Sequence, residues 1–129
     1  MMKLLRIDHV AINVKNLPTT FDWYHKVFGF GIIHKWEHPS ESTWMFGNEV
    51  IKIGAFERPD ASSISGIDRN IIAIQHFAFL VDKAEFDVAV REIDKLGLPH
   101  ELEDTGIAYS IFLTDPDGHQ VEITTYYNL

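Results

Sequence analysis

The sequence predicts an α+β fold of two tandem βαβββ modules, with a curved mixed sheet forming a metal-binding cleft. Three observations predict it. The segment Ile7-Asp8-His9-Val10-Ala11-Ile12-Asn13-Val14 returns as Ile74-Gln75-His76-Phe77-Ala78-Phe79-Leu80-Val81, with isoleucine, histidine, alanine and valine in register. A helical pattern follows each copy, and three short strand-like segments follow each helix. A repeat of this length marks a duplicated supersecondary unit, each half of which has a sheet face that must find cover.

Each element has its own local reason. Both repeat segments are short, apolar and rich in β-branched residues, with partial two-residue alternation, as strands are. In the first helix Leu17, Phe21, Tyr24 and Phe28 recur at helical spacing. Pro18 suits the first turn, where its missing N–H costs nothing, and Gly29 closes the segment. In the second helix Asp82 and Glu85 form a capping box, while Phe86, Val90, Ile93 and Leu96 make the apolar stripe. Gly97 suits the C-terminal cap, and Pro99 blocks continuation. The strands after the first helix are expected near 30–37, 42–47 and 49–57, and those after the second near 98–103, 108–114 and 119–126. Asp115-Pro116-Asp117-Gly118 reads as a turn, with proline at its second position and glycine at its fourth. The polar stretch 58–71 is the expected connector between module one (5–57) and module two (72–127) of a single domain, 1–129.

Composition narrows the function. The 129 residues suffice to bury a core without staples, and 46% hydrophobic with 23% charged is ordinary for a soluble globular chain. The absence of cysteine excludes disulfides, thiolate metal sites and cysteine nucleophiles, and fits a cytoplasmic location. The net charge of −8 argues against nucleic acid as a partner, since phosphates need a basic face. No stretch approaches the ~20 apolar residues of a membrane helix, and Met1 to Asp8 do not read as a signal peptide.

Seven histidines are many for this length, and their faces matter. Val10, Ile12 and Val14 should pack on the first helix, which turns His9, Ala11 and Asn13 the other way. By the same alternation His76, Ala78 and Leu80 face away from the second helix. In the last strand Gln120, Glu122 and Thr124 take the face opposite Val121 and Ile123. If the modules pair about a pseudo-twofold axis, His9, His76 and Glu122 meet in one cavity. Two imidazoles and one carboxylate leave coordination positions open on a divalent ion (Fe, Mn, Zn, Ni or Co), as a catalytic centre requires. A lone strand histidine is more often a hydrogen-bonded surface residue, and alternation alone leaves open which face is dry. The recurrence at equivalent places of a repeat is what favours ligation.

The paired strand histidines, the helix end Tyr24-His25-Lys26-Val27-Phe28-Gly29-Phe30 and the run Ser110 to Ile123 through Asp115-Pro116-Asp117-Gly118-His119-Gln120-Val121-Glu122 resemble the vicinal oxygen chelate superfamily. That superfamily includes glyoxalase I, extradiol dioxygenases and fosfomycin- and bleomycin-resistance proteins. The resemblance runs from about Ile7 to Tyr127 and implies that His9, His76 and Glu122 bind the metal. It also implies a small substrate with adjacent oxygens, and a homodimer.

The departures bear on the reaction. Glyoxalase I enzymes take a second glutamate from the first module. Matching Ile51 and Ile53 to Val121 and Ile123 puts Lys52 at that place, and a lysine cannot ligate. Fosfomycin-resistance members place a threonine two residues after the first histidine and a tyrosine three before the turn aspartate, where this chain has Ala11 and Phe112. Residues 98–114 also lack the lysine or arginine that would hold a phosphonate. What remains is a dioxygenase-like or glyoxalase-related lyase or isomerase activity, the alternative being a metal-free module that sequesters a small molecule. Trp36, Trp44, Phe46, Phe112 and Tyr126 are aromatic candidates to line the substrate site, with Phe112, Trp44 and Tyr126 foremost. Lys52, if inward, is the candidate catalytic or substrate-anchoring cation, the plainer reading being an edge-strand lysine that blocks pairing. His34, His38, His100 and His119 are further histidines available for acid–base work, with His119 expected at the loop.

Overall fold

A computed structural model describes residues 1–37, 39, 41–62 and 70–129. His38 and positions 63–69 of the expected connector lie outside the described residues. Two compact units, Met1–Ser63 and Ile64–Leu129, each carry one βαβββ module.

In the first unit the order is β1 (Val10–Val14), α1 (Leu17–Phe28), β2 (Gly31–Glu37), β3 (Ser42–Gly47) and β4 (Lys52–Glu57). In the second it is β5 (Phe77–Leu80), α2 (Lys83–Leu96), β6 (Glu101–Asp104), β7 (Ala108–Thr114) and β8 (Gln120–Tyr126). The four-stranded sheets run β1-β4-β3-β2 and β5-β8-β7-β6. In each, the first strand lies parallel to the last, and the remaining pairs are antiparallel.

The caps expected at Gly29, Asp82 and Gly97 form, and Asn16 caps the start of α1 as well. Asn16 accepts a hydrogen bond from the Thr19 amide (2.9 Å), and Gly29 ends α1 at φ 71°. Asp82 accepts from the Glu85 amide (2.9 Å), and Gly97 ends α2 at φ 68°. Both glycines take the left-handed conformation that a side chain disfavours. The Leu17 amide, one of the free donors of the first turn of α1, finds Glu57 Oε2 at 3.0 Å.

Four strand boundaries differ from expectation by more than a residue, each where hydrogen bonds have another use. β1 and β5 begin only at Val10 and Phe77, where parallel pairing starts (Val10 with Ile53, Phe77 with Val121), so His9 and His76 stand just before their strands. β4 begins at Lys52, not 49, because Asn48 turns the chain: its Oδ1 accepts from the amides of Val50 (2.8 Å) and Ile51 (2.7 Å). β6 begins at Glu101, not 98, because Leu98 still bonds back to Ile93 (3.2 Å) in the helix exit.

One face of each sheet packs on its helix. In the first unit Ile12, Val14, Phe46, Ile53 and Ala55 are buried with Leu17 and Tyr24 of α1. In the second, Ile111, Leu113, Val121 and Ile123 are buried with Phe86 and Ile93 of α2. This is the alternation expected of β1 and β8, and it sends His9, His76 and Glu122 to the faces away from the helices.

Candidate metal centre

In the second unit the strand register places Ala78 beside Glu122, and Glu122 beside Phe112. Small Ala78 leaves the space above β5 free, and the His76 ring reaches across to the carboxylate. His76 Nε2 lies 2.9 Å from Glu122 Oε2. The other ring nitrogen, Nδ1, meets Gln75 Oε1 at 3.0 Å. The carboxylate's second oxygen, Oε1, accepts a 2.6 Å hydrogen bond from the Ser110 hydroxyl. Ser110 is buried on β7, and its oxygen also lies 3.2 Å from Thr124 Oγ1. The Phe112 ring stands edge-on to His76, with centroids 5.7 Å apart and planes at 86°. Tyr126, at the end of β8 on the Glu122 face, is 45% exposed.

The first unit is built on the same grid with different side chains. Ala11 pairs with Gly54, Gly54 with Met45 and Met45 with His34, just as Ala78, Glu122, Phe112 and Glu101 run across the second sheet. The residue equivalent to Glu122 is therefore Gly54, and Lys52 matches Gln120. This corrects the alignment of Lys52 with Glu122. The turn after β3 spans 48–51 and that after β7 spans 115–119, so the second module has one more residue there. Matching apolar residues across the two turns missed that difference. A Cβ at Gly54 would lie 3.9 Å from Phe56 Cε2 and 4.0 Å from His9 Cδ2, ordinary contact distances.

His9 Nδ1 lies 2.9 Å from Asp8 Oδ2, and Lys52 Nζ lies 3.6 Å from Asp8 Oδ1. The hydrogen bond from His9 and the nearby Lys52 charge hold the Asp8 carboxyl below its ordinary range. Lys52 is thus paired with Asp8 at the start of β4, on the face of its sheet that carries His9.

The other sequence candidates fall as follows. Trp44 and Phe46 lie on the helix side of the first sheet: Phe21 of α1 contacts Trp44 edge-on at 6.4 Å and Phe46 at 5.8 Å. Lys35 covers the Trp44 ring at 4.0 Å. Phe46 is core and Trp44 is half-buried, both on the face opposite His9. Trp36 and His34 contact each other (centroids 4.4 Å) on the His9 face of β2. His100 is tied to Leu98 O (2.8 Å) at the helix exit. The His119 amide bonds Asp115 Oδ1 (2.9 Å), which places His119 in the turn as expected.

The structure thus brings His76 and Glu122 together. Among the described residues no three histidine, aspartate or glutamate side chains gather in either unit, and His9 belongs to the other unit. The pair suits a divalent cation. An imidazole nitrogen and a carboxylate oxygen already converge, and each side chain's second polar atom is held by a neighbour, an arrangement that metal ligands also show. Ser110 escaped sequence reasoning. Its only signal is a small hydroxyl side chain between Ala108 and Phe112 on one face of β7. Among the described residues no helix is long and apolar enough to cross a membrane.

Comparison with known proteins agrees with this architecture. The chain is 26% identical over 118 residues to the Bacillus subtilis catechol-2,3-dioxygenase, covering 91% of this chain but 40% of that protein. The chain thus spans about two-fifths of that relative's length. It is 28% identical over 126 residues to the Bacillus licheniformis metallothiol transferase FosB, covering 95% of this chain and 77% of that one. The crystal structure of a glyoxylase/bleomycin resistance protein/dioxygenase domain from Frankia sp. EAN1pec superposes with a TM-score of 0.81 at 16% identity, covering 96% and 93% of the two chains. Residues 6–123 match the family model of the Glyoxalase/Bleomycin resistance protein/Dioxygenase superfamily, and the chain belongs to that superfamily.

Proposed function

We propose that the chain is a divalent-metal-dependent enzyme of the dioxygenase type, acting on a small aromatic substrate with adjacent oxygens. His9, His76 and Glu122 would hold the ion. The observation that carries this reading is the 2.9 Å approach of His76 Nε2 to Glu122 Oε2, with glycine at the equivalent place in the first module. Two histidines and one carboxylate form the ligand set of non-haem iron oxygenases, which keep positions open for substrate and oxygen. Gly54 supplies no second carboxylate, which disfavours a glyoxalase-type proton transfer between two carboxylates. The similarity to a catechol dioxygenase supports the same choice.

A bound ion supplies Lewis acidity to the substrate's adjacent oxygens. The chain's own residues do the rest. Phe112 offers an apolar ring beside His76, against which an aromatic substrate can pack. Tyr126 offers a second ring on the Glu122 face. Lys52, already countered by Asp8, is poorly placed to act as a free base and serves to hold Asp8 near His9.

The test is oxygen consumption with catechol and substituted catechols after reconstitution with Fe(II) or Mn(II). The expected result is ring-opened product with one O2 molecule consumed per catechol and both its atoms incorporated, abolished in Glu122→Gln. A metal-loaded, folded protein that leaves every catechol intact would contradict the dioxygenase reading. Thiol transfer would then be assayed next, because of the similarity to the metallothiol transferase FosB.

A further inference from the structure

We infer that Ser110 is the positioning residue that makes Glu122 a one-oxygen ligand, so that the carboxylate takes a single coordination position. The inference rests on the proposed ligand set and lies wholly within the second unit. A carboxylate can grip an ion through one oxygen or both, and the difference is one open position for substrate. Here the two oxygens have separate tasks. Oε2 faces His76 Nε2 at 2.9 Å. Oε1 is engaged by the Ser110 hydroxyl at 2.6 Å, a distance typical of a hydroxyl donating to a charged acceptor.

The hydroxyl has little freedom to do otherwise. Ser110 is 1% exposed, so water does not compete for it. Its other polar neighbour is Thr124 Oγ1, at the longer distance of 3.2 Å. Thr124 Oγ1 in turn donates to the Tyr109 carbonyl (3.3 Å). Thr124 Oγ1 can then only accept from Ser110, and the shorter contact and the charge of the carboxylate draw the single Ser110 proton to Glu122. The register explains the geometry: Ser110 pairs with Thr124 and Phe112 with Glu122, so Ser110 stands diagonal to the carboxylate on the same face of neighbouring strands. Glu122 is thereby held between Ser110 and His76, whose Nδ1 is itself engaged by Gln75. For Oε1 to join the metal it would have to leave a buried donor unsatisfied.

The test compares wild type with Ser110→Ala and Ser110→Thr, using Mn(II) alone as the probe. Two readouts are taken: Mn(II) affinity by titration, and the metal-minus-apo infrared difference spectrum, in which the spacing of the two carboxylate stretches separates one-oxygen from two-oxygen ligation. Wild type should show the wide spacing of a one-oxygen ligand. Ser110→Ala should narrow it and change Mn(II) affinity by about 10-fold or more, the scale of outer-partner substitutions. Ser110→Thr, which keeps the hydroxyl, should restore the wide spacing. Melting curves confirm that each variant is folded. If Ser110→Ala does not fold, Ser110→Cys, with a weak donor of similar size, takes its place and should give an intermediate spacing. Wild-type Mn(II) binding with spacing and affinity unchanged in Ser110→Ala would overturn the positioning role and leave the ligand set standing. No Mn(II) binding by folded wild type would overturn both.

Discussion

Gly54 separates what the fold needs from what the site needs. It lies inside β4, where glycine normally costs about 0.5–1 kcal/mol relative to alanine. Nothing steric requires it, since an added Cβ would sit 3.9 Å from Phe56 Cε2 and 4.0 Å from His9 Cδ2. Gly54→Ala should therefore stabilise the protein by roughly 0.5–1 kcal/mol, through a less flexible unfolded chain. For a chain of 129 residues that is a rise in Tm of about 2–4 °C. Gly54→Glu would put a carboxylate at the place Glu122 takes in the second module, and beside His9. It should tighten divalent-metal binding on the order of tenfold, ~1.4 kcal/mol, and lower turnover by filling a substrate position. Urea or thermal unfolding checks the first arm and Mn(II) titration the second. Destabilisation by Gly54→Ala would show that the glycine is structural. Unchanged metal affinity in a folded Gly54→Glu variant would count against the proposal that neighbouring His9 holds the ion.

Three further outcomes follow from single contacts. Asp8→Ala removes the acceptor from His9 Nδ1 and should weaken metal binding about 10–100-fold, whereas Asp8→Asn, which keeps an acceptor oxygen, should weaken it less; equal losses on titration would assign the effect to charge alone. Thr125 Oγ1 is buried without a hydrogen-bond partner among the described residues, so Thr125→Val should raise unfolding free energy by about 1 kcal/mol, and a lower urea midpoint would contradict this. The Tyr127 hydroxyl donates to Asp104, which pushes the phenol up to about 12 and holds Asp104 below its usual range. The folded state thus retains the phenolic proton that the unfolded chain loses near pH 10, so this contribution is full below pH 10 and is lost as pH rises toward 12. Asp104 adds the mirror effect, present at neutral pH and lost in acid as its carboxyl protonates. Tyrosinate absorbance during an alkaline titration should show one phenol ionising late, and Asp104→Asn should return it to the ordinary range.

Much of the fold was legible because it depends on local signals. The caps at Asp82, Gly29 and Gly97 and the Asp115 turn act over a few residues, and each stands where expected; the repeat marks both modules, although β1 and β5 begin only after His9 and His76. The faces of β1 and β8 followed from packing the apolar alternate set on the helix. Register was not legible across the β3–β4 turn. Asn48 sets how many residues that turn consumes, and the apolar pattern alone fits Lys52 or Gly54 to the Glu122 position. The side taken by Trp44 was illegible for a related reason: large aromatic residues suit a substrate pocket and a helix-packed face equally, and the Phe21 contact puts this one on the helix side. Ser110 was illegible because its role depends on a neighbouring strand.

The central claim is that the histidine–glutamate pair belongs to a metal centre, and elemental analysis of reconstituted protein tests it most directly. The measurement is ions bound per chain after incubation with Fe(II), Mn(II), Zn(II), Ni(II) or Co(II) and removal of excess, for wild type and for His9→Ala, His76→Ala and Glu122→Gln. The account predicts about one ion per chain, lost in each of the three variants. A well-folded wild type that binds none of these ions, or a variant of any of the three residues that keeps its full complement, would contradict it.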